Sequence, residues 1–248
     1  MTDSRLLYQG ADEFGPITVS EEDGYCTLSF APGDEQSRCL KTAPHVLQYE
    51  YTQAMLLALL FCQPKRILVL GLGGGSLVTS LLHHLPGVHI TAIELRPQVV
   101  ELAYRYFRLP RSKRLEIIQQ DANLYLRSGV GRTVDLVFAD LYHAKGVDAT
   151  QLQAEFIAHC AARLKTNGWL VLNCWLEHRA NPDFLGALQQ HFADIRTVLT
   201  GSLNWVILAG KIPDTQTANH LKQSAADLST PLGFTLTRHL ARLRPLEA

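Results

Sequence analysis

With 248 residues, 47% of them hydrophobic and 19% charged, the chain has enough apolar content to bury a full core and lacks the polar bias of a disordered protein. Lys plus Arg and Asp plus Glu both total 23, so no net field draws the chain to nucleic acid or to an anionic membrane. The longest apolar run, residues 54–62, falls short of the ~20 residues that span a bilayer, and the first residues lack a basic-then-apolar secretory profile. Cys26, Cys39, Cys62, Cys160 and Cys174 form no Cys-x-x-Cys pair, and the histidines form no His-x-x-x-His pair. The expectation is a cytoplasmic protein with free thiols and no metal.

Residues 16–20 and 25–30 are short β-branched or alternating runs, separated by Glu21-Glu22-Asp23-Gly24 and followed by Pro32-Gly33-Asp34. They predict a small antiparallel β appendage within residues 1–47. Helical spacing sets in over 48–61, with Tyr51, Met55, Leu56, Ala58 and Leu59 along one side, and Pro64 stops it. Apolar runs at 66–71, 89–94, 115–118, 135–140 and 169–174 then alternate with amphipathic stretches such as 98–107 and 151–164. That succession predicts a parallel sheet covered by helices on both faces. Strands at 194–200 and 204–210 are joined only by Gly201-Ser202-Leu203, too short for a parallel crossover, so they should form an antiparallel hairpin. The fold expected for 48–248 is α/β, a Rossmann-like sheet of the methyltransferase type, mostly parallel with its last strand antiparallel. From Pro213 the chain predicts one or two helices with a loop around Ser229-Thr230-Pro231.

The strongest chemical signal is the buried strand Ile67-Leu68-Val69-Leu70 running into Gly71-Leu72-Gly73-Gly74-Gly75-Ser76 and a helix. Glycines let the backbone turn sharply and approach a ligand, and free amides at the helix start would face it. Ser76 stands where a dinucleotide fingerprint has its third glycine, which suits a nucleoside without a pyrophosphate. Glu94, at the end of the next strand, is placed to accept both ribose hydroxyls. Asp121, in Gln120-Asp121-Ala122, is placed to accept from an adenine amino group. Asp140 ends the fourth strand beside the switch in strand order, where partial desolvation raises a carboxylate pKa. Each acid also has a plainer reading, as a solvated loop residue or helix cap.

Taken together, the residues resemble spermidine synthases, the polyamine aminopropyltransferases, and proteins like them. The resemblance rests on Gly15-Pro16-Ile17, Gln36-Ser37, Tyr49-Glu50-Tyr51-Thr52, the glycine loop, Glu94, Gln120-Asp121-Ala122 and Asp140. It continues through Leu164-Lys165-Thr166-Asn167-Gly168, expected as a turn, and Asn204-Trp205-Val206. It implies a decarboxylated S-adenosylmethionine donor held by Gly71, Gly73, Gly74, Gly75, Glu94, Asp121, Ala122 and Gln36. It also implies a small amine acceptor, Asp140 as proton acceptor, Tyr51 as a positioning group, and a homodimer.

Three positions depart from the family's pattern. Gly74 replaces a loop acid, His143 replaces the second acid of an Asp-Ser-x-Asp motif, and Gln53 ends a Tyr-His-Glu triplet read here as Tyr51-Thr52-Gln53. Each removes a polar or anionic partner for a polycation. An alternative is therefore a small-molecule methyltransferase using intact S-adenosylmethionine, with His143 as base, although an exposed loop histidine is the plainer reading. A non-catalytic nucleoside-binding homologue is a third. Tyr142 and Trp175 are candidate walls of the acceptor pocket.

Overall fold

The computed structural model describes residues 4–143 and 146–246; residues 144–145 and the side chain of His143 lie outside that description, so the expectation for His143 is not addressed. Strands β1 (Arg5–Asp12), β2 (Gly15–Glu22), β3 (Tyr25–Ser29) and β4 (Ser37–Leu40) form an antiparallel meander in chain order. Alternation sets its inner face: Ile17, Val19, Cys26, Leu28 and Cys39 are buried, with more exposed neighbours between them. The predicted turn shrinks to Asp23-Gly24, whose φ angles of 50° and 80° suit the right-handed twist of a two-residue hairpin. Neither β1 nor β4 is anticipated by the sequence, because β1 is an exposed edge and β4 has four residues. The inner face packs on Val99, Leu102 and Phe107.

After α1 (Glu50–Met55) the chain tightens into a 3₁₀ turn over Leu56–Leu60. It then alternates through β5 (Arg66–Leu70), α2 (Ser76–His84), β6 (His89–Glu94), α3 (Pro97–Tyr106), β7 (Leu115–Gln119), α4 (Ala122–Arg127) and β8 (Val134–Ala139). A small ribbon, β9 (Tyr142–His143) with β10 (Gly146–Val147), precedes α5 (Ala154–Arg163), β11 (Leu164–Trp175) and α6 (Pro182–His191). The chain ends in β12 (Asp194–Leu199), β13 (Asn204–Gly210), α7 (Ala218–Leu232), α8 (Leu236–Leu240) and β14 (Arg244–Pro245).

The large sheet has the order β14-β12-β13-β11-β8-β5-β6-β7. Strands β11, β8, β5, β6 and β7 pair in parallel, whereas β13 lies antiparallel between β11 and β12. Side chains alternate between two cores. Ile67, Val69, Phe138, Val171 and Leu208 meet Leu57, Leu81, Ala225 and Leu236 on one face. Leu68, Leu70, Val137, Leu170 and Ile207 meet Leu126, Phe156, Ile157, Phe184 and Leu188 on the other. The chain steps outward from β5 through β6 to β7, then returns to β8 on the opposite side of β5. That reversal opens a crevice at the carboxyl ends of β5 and β8.

Two sequence expectations are corrected here. The stretch 164–168, expected as a turn, is the irregular start of the twelve-residue strand β11, with a register shift between Leu164 and Trp169. The loop expected at Ser229-Thr230-Pro231 is the last turn of α7. A proline there forfeits only one helical bond, and Gly233 at φ 76° ends the helix just beyond it.

Candidate active site

A crevice of about 1010 Å³ opens over the carboxyl ends of β5, β6, β7 and β8. At one end stands the glycine loop. Gly71 has φ 88°, and a Cβ there would collide with the Asp140 carbonyl oxygen, so the strand can leave the sheet here only as glycine. The amides of the glycine loop itself are turned inward. Gly71 N–H donates to Ile93 O, Gly74 N–H to Ser37 Oγ and Gly75 N–H to Leu72 O. Leu72 and Gly73 N–H both donate to Glu94 Oε2, at 3.0 and 3.3 Å, while Arg96 N–H donates to Oε1 at 2.9 Å. The Glu94 carboxylate thus takes up the amides of residues 72, 73 and 96. Burial pushes its pKa up, and the three N–H groups pull against that shift without cancelling it.

Gly71, Gly73, Glu94, Asp121, Ala122 and Gln36 all line the crevice. Asp121 also caps α4, its Oδ1 accepting from Leu124 N–H at 2.8 Å, which leaves the second oxygen for a ligand. The Gln36 amide is held by both carboxylate oxygens of Asp34, each at 2.8 Å. Gly74 and Gly75 are not on the crevice wall. A Cβ on Gly74 would come within 2.7 Å of the Phe107 ring and 2.9 Å of Ser37 Cβ, and one on Gly75 within 2.7 Å of Leu109.

At the other end, the backbone N–H of Asp140 bonds Leu70 O, fixing the residue just past β8. The Tyr51 hydroxyl donates to Asp140 Oδ2 at 3.3 Å, and Asn173 Nδ2 donates to Oδ1 at 2.8 Å. Burial raises the Asp140 pKa, and these two donors only partly offset it. Burial, followed by the neighbouring Asp140 charge, lifts the Tyr51 phenol well above its usual range, so it stays a proton donor. Asn173 Oδ1 accepts from Asn204 Nδ2 at 3.1 Å, and Asn204 Oδ1 from the Ser202 hydroxyl at 2.8 Å. Gln151 bridges Leu141 N–H and Asn173 O. The Tyr142 hydroxyl is buried without a hydrogen-bond partner among the described residues; the Asn204 amide exerts a weak pull on it without reaching bonding geometry. Tyr142 and Trp175 line the crevice with ring centroids 6.1 Å apart.

Asn173, Asn204 and Gln151 were not singled out as site residues in the sequence. The available signal was polar amides inside strongly apolar strands, as in Leu170-Val171-Leu172-Asn173-Cys174. The third departure from the family pattern does not touch the crevice: Gln53 Nε2 donates to Leu47 O, and its Oε1 meets the buried His239 ring. Acids from elsewhere line it instead. Among the described residues the walls carry Asp34, Glu35, Glu50, Glu94, Asp121, Asp140 and Asp148 against the single guanidinium of Arg96. Glu50 is the most tightly tethered of the rim acids, accepting from Gly201 N–H and from Arg238 and Arg242 near the chain end. No group of three His, Cys, Asp or Glu among the described residues is placed to hold a metal, and none of their helices is long and apolar enough to cross a membrane.

The parallel sheet with its inserted antiparallel strand, and a glycine loop anchored on a carboxylate, define a methyltransferase-type α/β fold. The spermine/spermidine synthase domain matches residues 49–203, and the chain belongs to that family, whose members are transferases. It is 28% identical to a polyamine aminopropyltransferase of Neisseria meningitidis serogroup A over 97% of this chain and 93% of that one. The structure of a probable spermidine synthase from Corynebacterium glutamicum superimposes with a TM-score of 0.80 at 18% identity, covering 96% and 89% of the two chains. Human methyltransferase-like protein 13, in complex with SAH, superimposes with a TM-score of 0.67 at 23% identity over 75% and 93%.

Proposed function

We propose that this chain transfers an aminopropyl group from decarboxylated S-adenosylmethionine to a small amine. The observation that carries the reading is the crevice's charge: among the described residues, seven carboxylates against one guanidinium, in a chain whose formal net charge is zero. Such a cleft concentrates cations, and it favours a donor bearing a sulfonium and an ammonium over one that adds a carboxylate. The departures at Gly74 and His143 are thus offset by Asp34, Glu35 and Asp148, which other segments bring to the same walls.

Glu94 and Asp121 hold the adenosine, with the loop's backbone as its floor. The acceptor nitrogen, uncharged, attacks the methylene beside sulfur; the carbon–sulfur bond breaks with its electron pair going to sulfur, and methylthioadenosine leaves. The proton released from nitrogen passes to Asp140, whose raised pKa suits it to receive one. Tyr51 and Asn173 keep the carboxylate aimed. A neutral leaving group needs little chemical help, so positioning and deprotonation of the amine are the enzyme's main tasks.

Calorimetry with decarboxylated S-adenosylmethionine, S-adenosylmethionine and methylthioadenosine tests the donor, and a turnover assay over a panel of diamines and monoamines tests the acceptor. Preference for the intact donor with methyl transfer would replace this reading by a methyltransferase. Failure to bind any of the three would leave a non-catalytic homologue.

A further inference from the structure

We propose that Phe14, at the tip of the β1–β2 hairpin, forms one face of the slot that holds the adenine, which brings the hairpin tip of the N-terminal appendage into the donor site. The inference rests on the donor reading above. Phe14 is 44% exposed and Leu95 42%, and both line the crevice. A single exposed apolar side chain is unremarkable. These two are different because one side chain ties their segments together.

Arg96, next to Leu95, sends a side chain only 7% exposed across to the hairpin. Its Nε donates to Asp12 Oδ2 at 3.0 Å, and its Nη2 to Asp12 Oδ1 at 2.8 Å and to Gly15 O at 2.9 Å. The guanidinium also stacks 4.4 Å over the Phe30 ring. On the hairpin side, Phe14 N–H donates to Asp12 Oδ1 at 2.9 Å, so the tip is locked on both flanks of Phe14. The backbone N–H of Arg96 meanwhile bonds Glu94, the acid assigned to the ribose.

The bidentate pair would anchor the hairpin whatever residue stood at 14. An aromatic ring left open to solvent there, on the same crevice as Leu95 and Asp121, can supply with the leucine the two apolar faces that a purine needs. Adenine slides between Phe14 and Leu95 while Asp121 meets its edge, and the appendage sets the width of the slot.

Calorimetric titration of methylthioadenosine into the parent protein, Phe14→Ala and Phe14→Trp tests this. Phe14→Ala should weaken binding about tenfold with an unchanged melting temperature, because the ring is not part of the core. Phe14→Trp should restore affinity, and its indole emission should fall on titration by more than the emission of the parent, which has three tryptophans of its own. Binding by Phe14→Ala within twofold of the parent, or a Phe14→Trp signal no larger than the parent's, overturns the role of Phe14 and leaves the donor reading standing. A parent that does not bind methylthioadenosine overturns both.

Discussion

The two ends of the crevice are built on opposite principles. At the glycine loop the backbone amides are satisfied from within: every N–H from 71 to 75 has an acceptor inside the protein, two of them on Glu94. At Asp140 the structure is a relay of side chains, Tyr51, Asn173, Asn204 and Ser202, beside a phenol with no partner among the described residues. The first end is built from backbone and is therefore fixed with the fold. The second depends on a few side-chain rotamers.

The contrast predicts unlike responses to mutation. Asp140→Asn keeps the side chain's shape but cannot take a proton, so kcat should drop about a thousandfold while methylthioadenosine affinity stays within about twofold. Comparable losses of both would put Asp140 in the nucleoside site. Glu94→Ala should behave the other way, as a stability mutant that also loses the ligand. It strands three buried N–H groups, and each unsatisfied donor costs about 1–3 kcal/mol, so denaturant unfolding should show a loss of about 3 kcal/mol or more.

Gly74→Asp would restore an acid to the loop, yet it should not improve the enzyme. Its Cβ meets the Phe107 ring and Ser37, and such overpacking typically costs about 1–3 kcal/mol; a variant as stable as the parent would show that Phe107 yields freely. The smallest effect is a shift in pH. Asn173 donates to Asp140 and favours its ionised form, so Asn173→Ala should raise the Asp140 pKa further. Since the base must be ionised to act, the acid limb of kcat/KM should move to higher pH. A limb that stays in place, or moves down, would remove Asp140 from the proton path.

The apolar runs made the centre of the fold legible. Residues 89–94 and 204–210 are strands at the predicted bounds, and the antiparallel hairpin of β12 and β13 followed from its short connection. Glu94, Asp121 and Asp140 were visible because each stands at or just past the end of an apolar strand, where a parallel sheet presents its ligands. Partners that act across long sequence distances were not visible. Nothing local at Asp34, Glu35 or Glu50 says that they share walls with Asp140, and nothing in Gly-x-Gly-x-Gly says that its amides turn inward to Glu94. The β1 edge strand and the helical course of 229–231 were missed for a different reason: weak alternation and an internal proline mislead when tertiary packing decides the outcome.

Glu50 gives the chain's last thirty or so residues an influence out of proportion to their position. Arg238 and Arg242 neutralise this rim carboxylate, although neither is among the crevice's walls. Shortening the chain before α8 would leave a bare anion at the entrance, held only by the Gly201 amide. The cation preference of the cleft is therefore adjustable from the far terminus, by changes that leave every residue touching the substrates as it was.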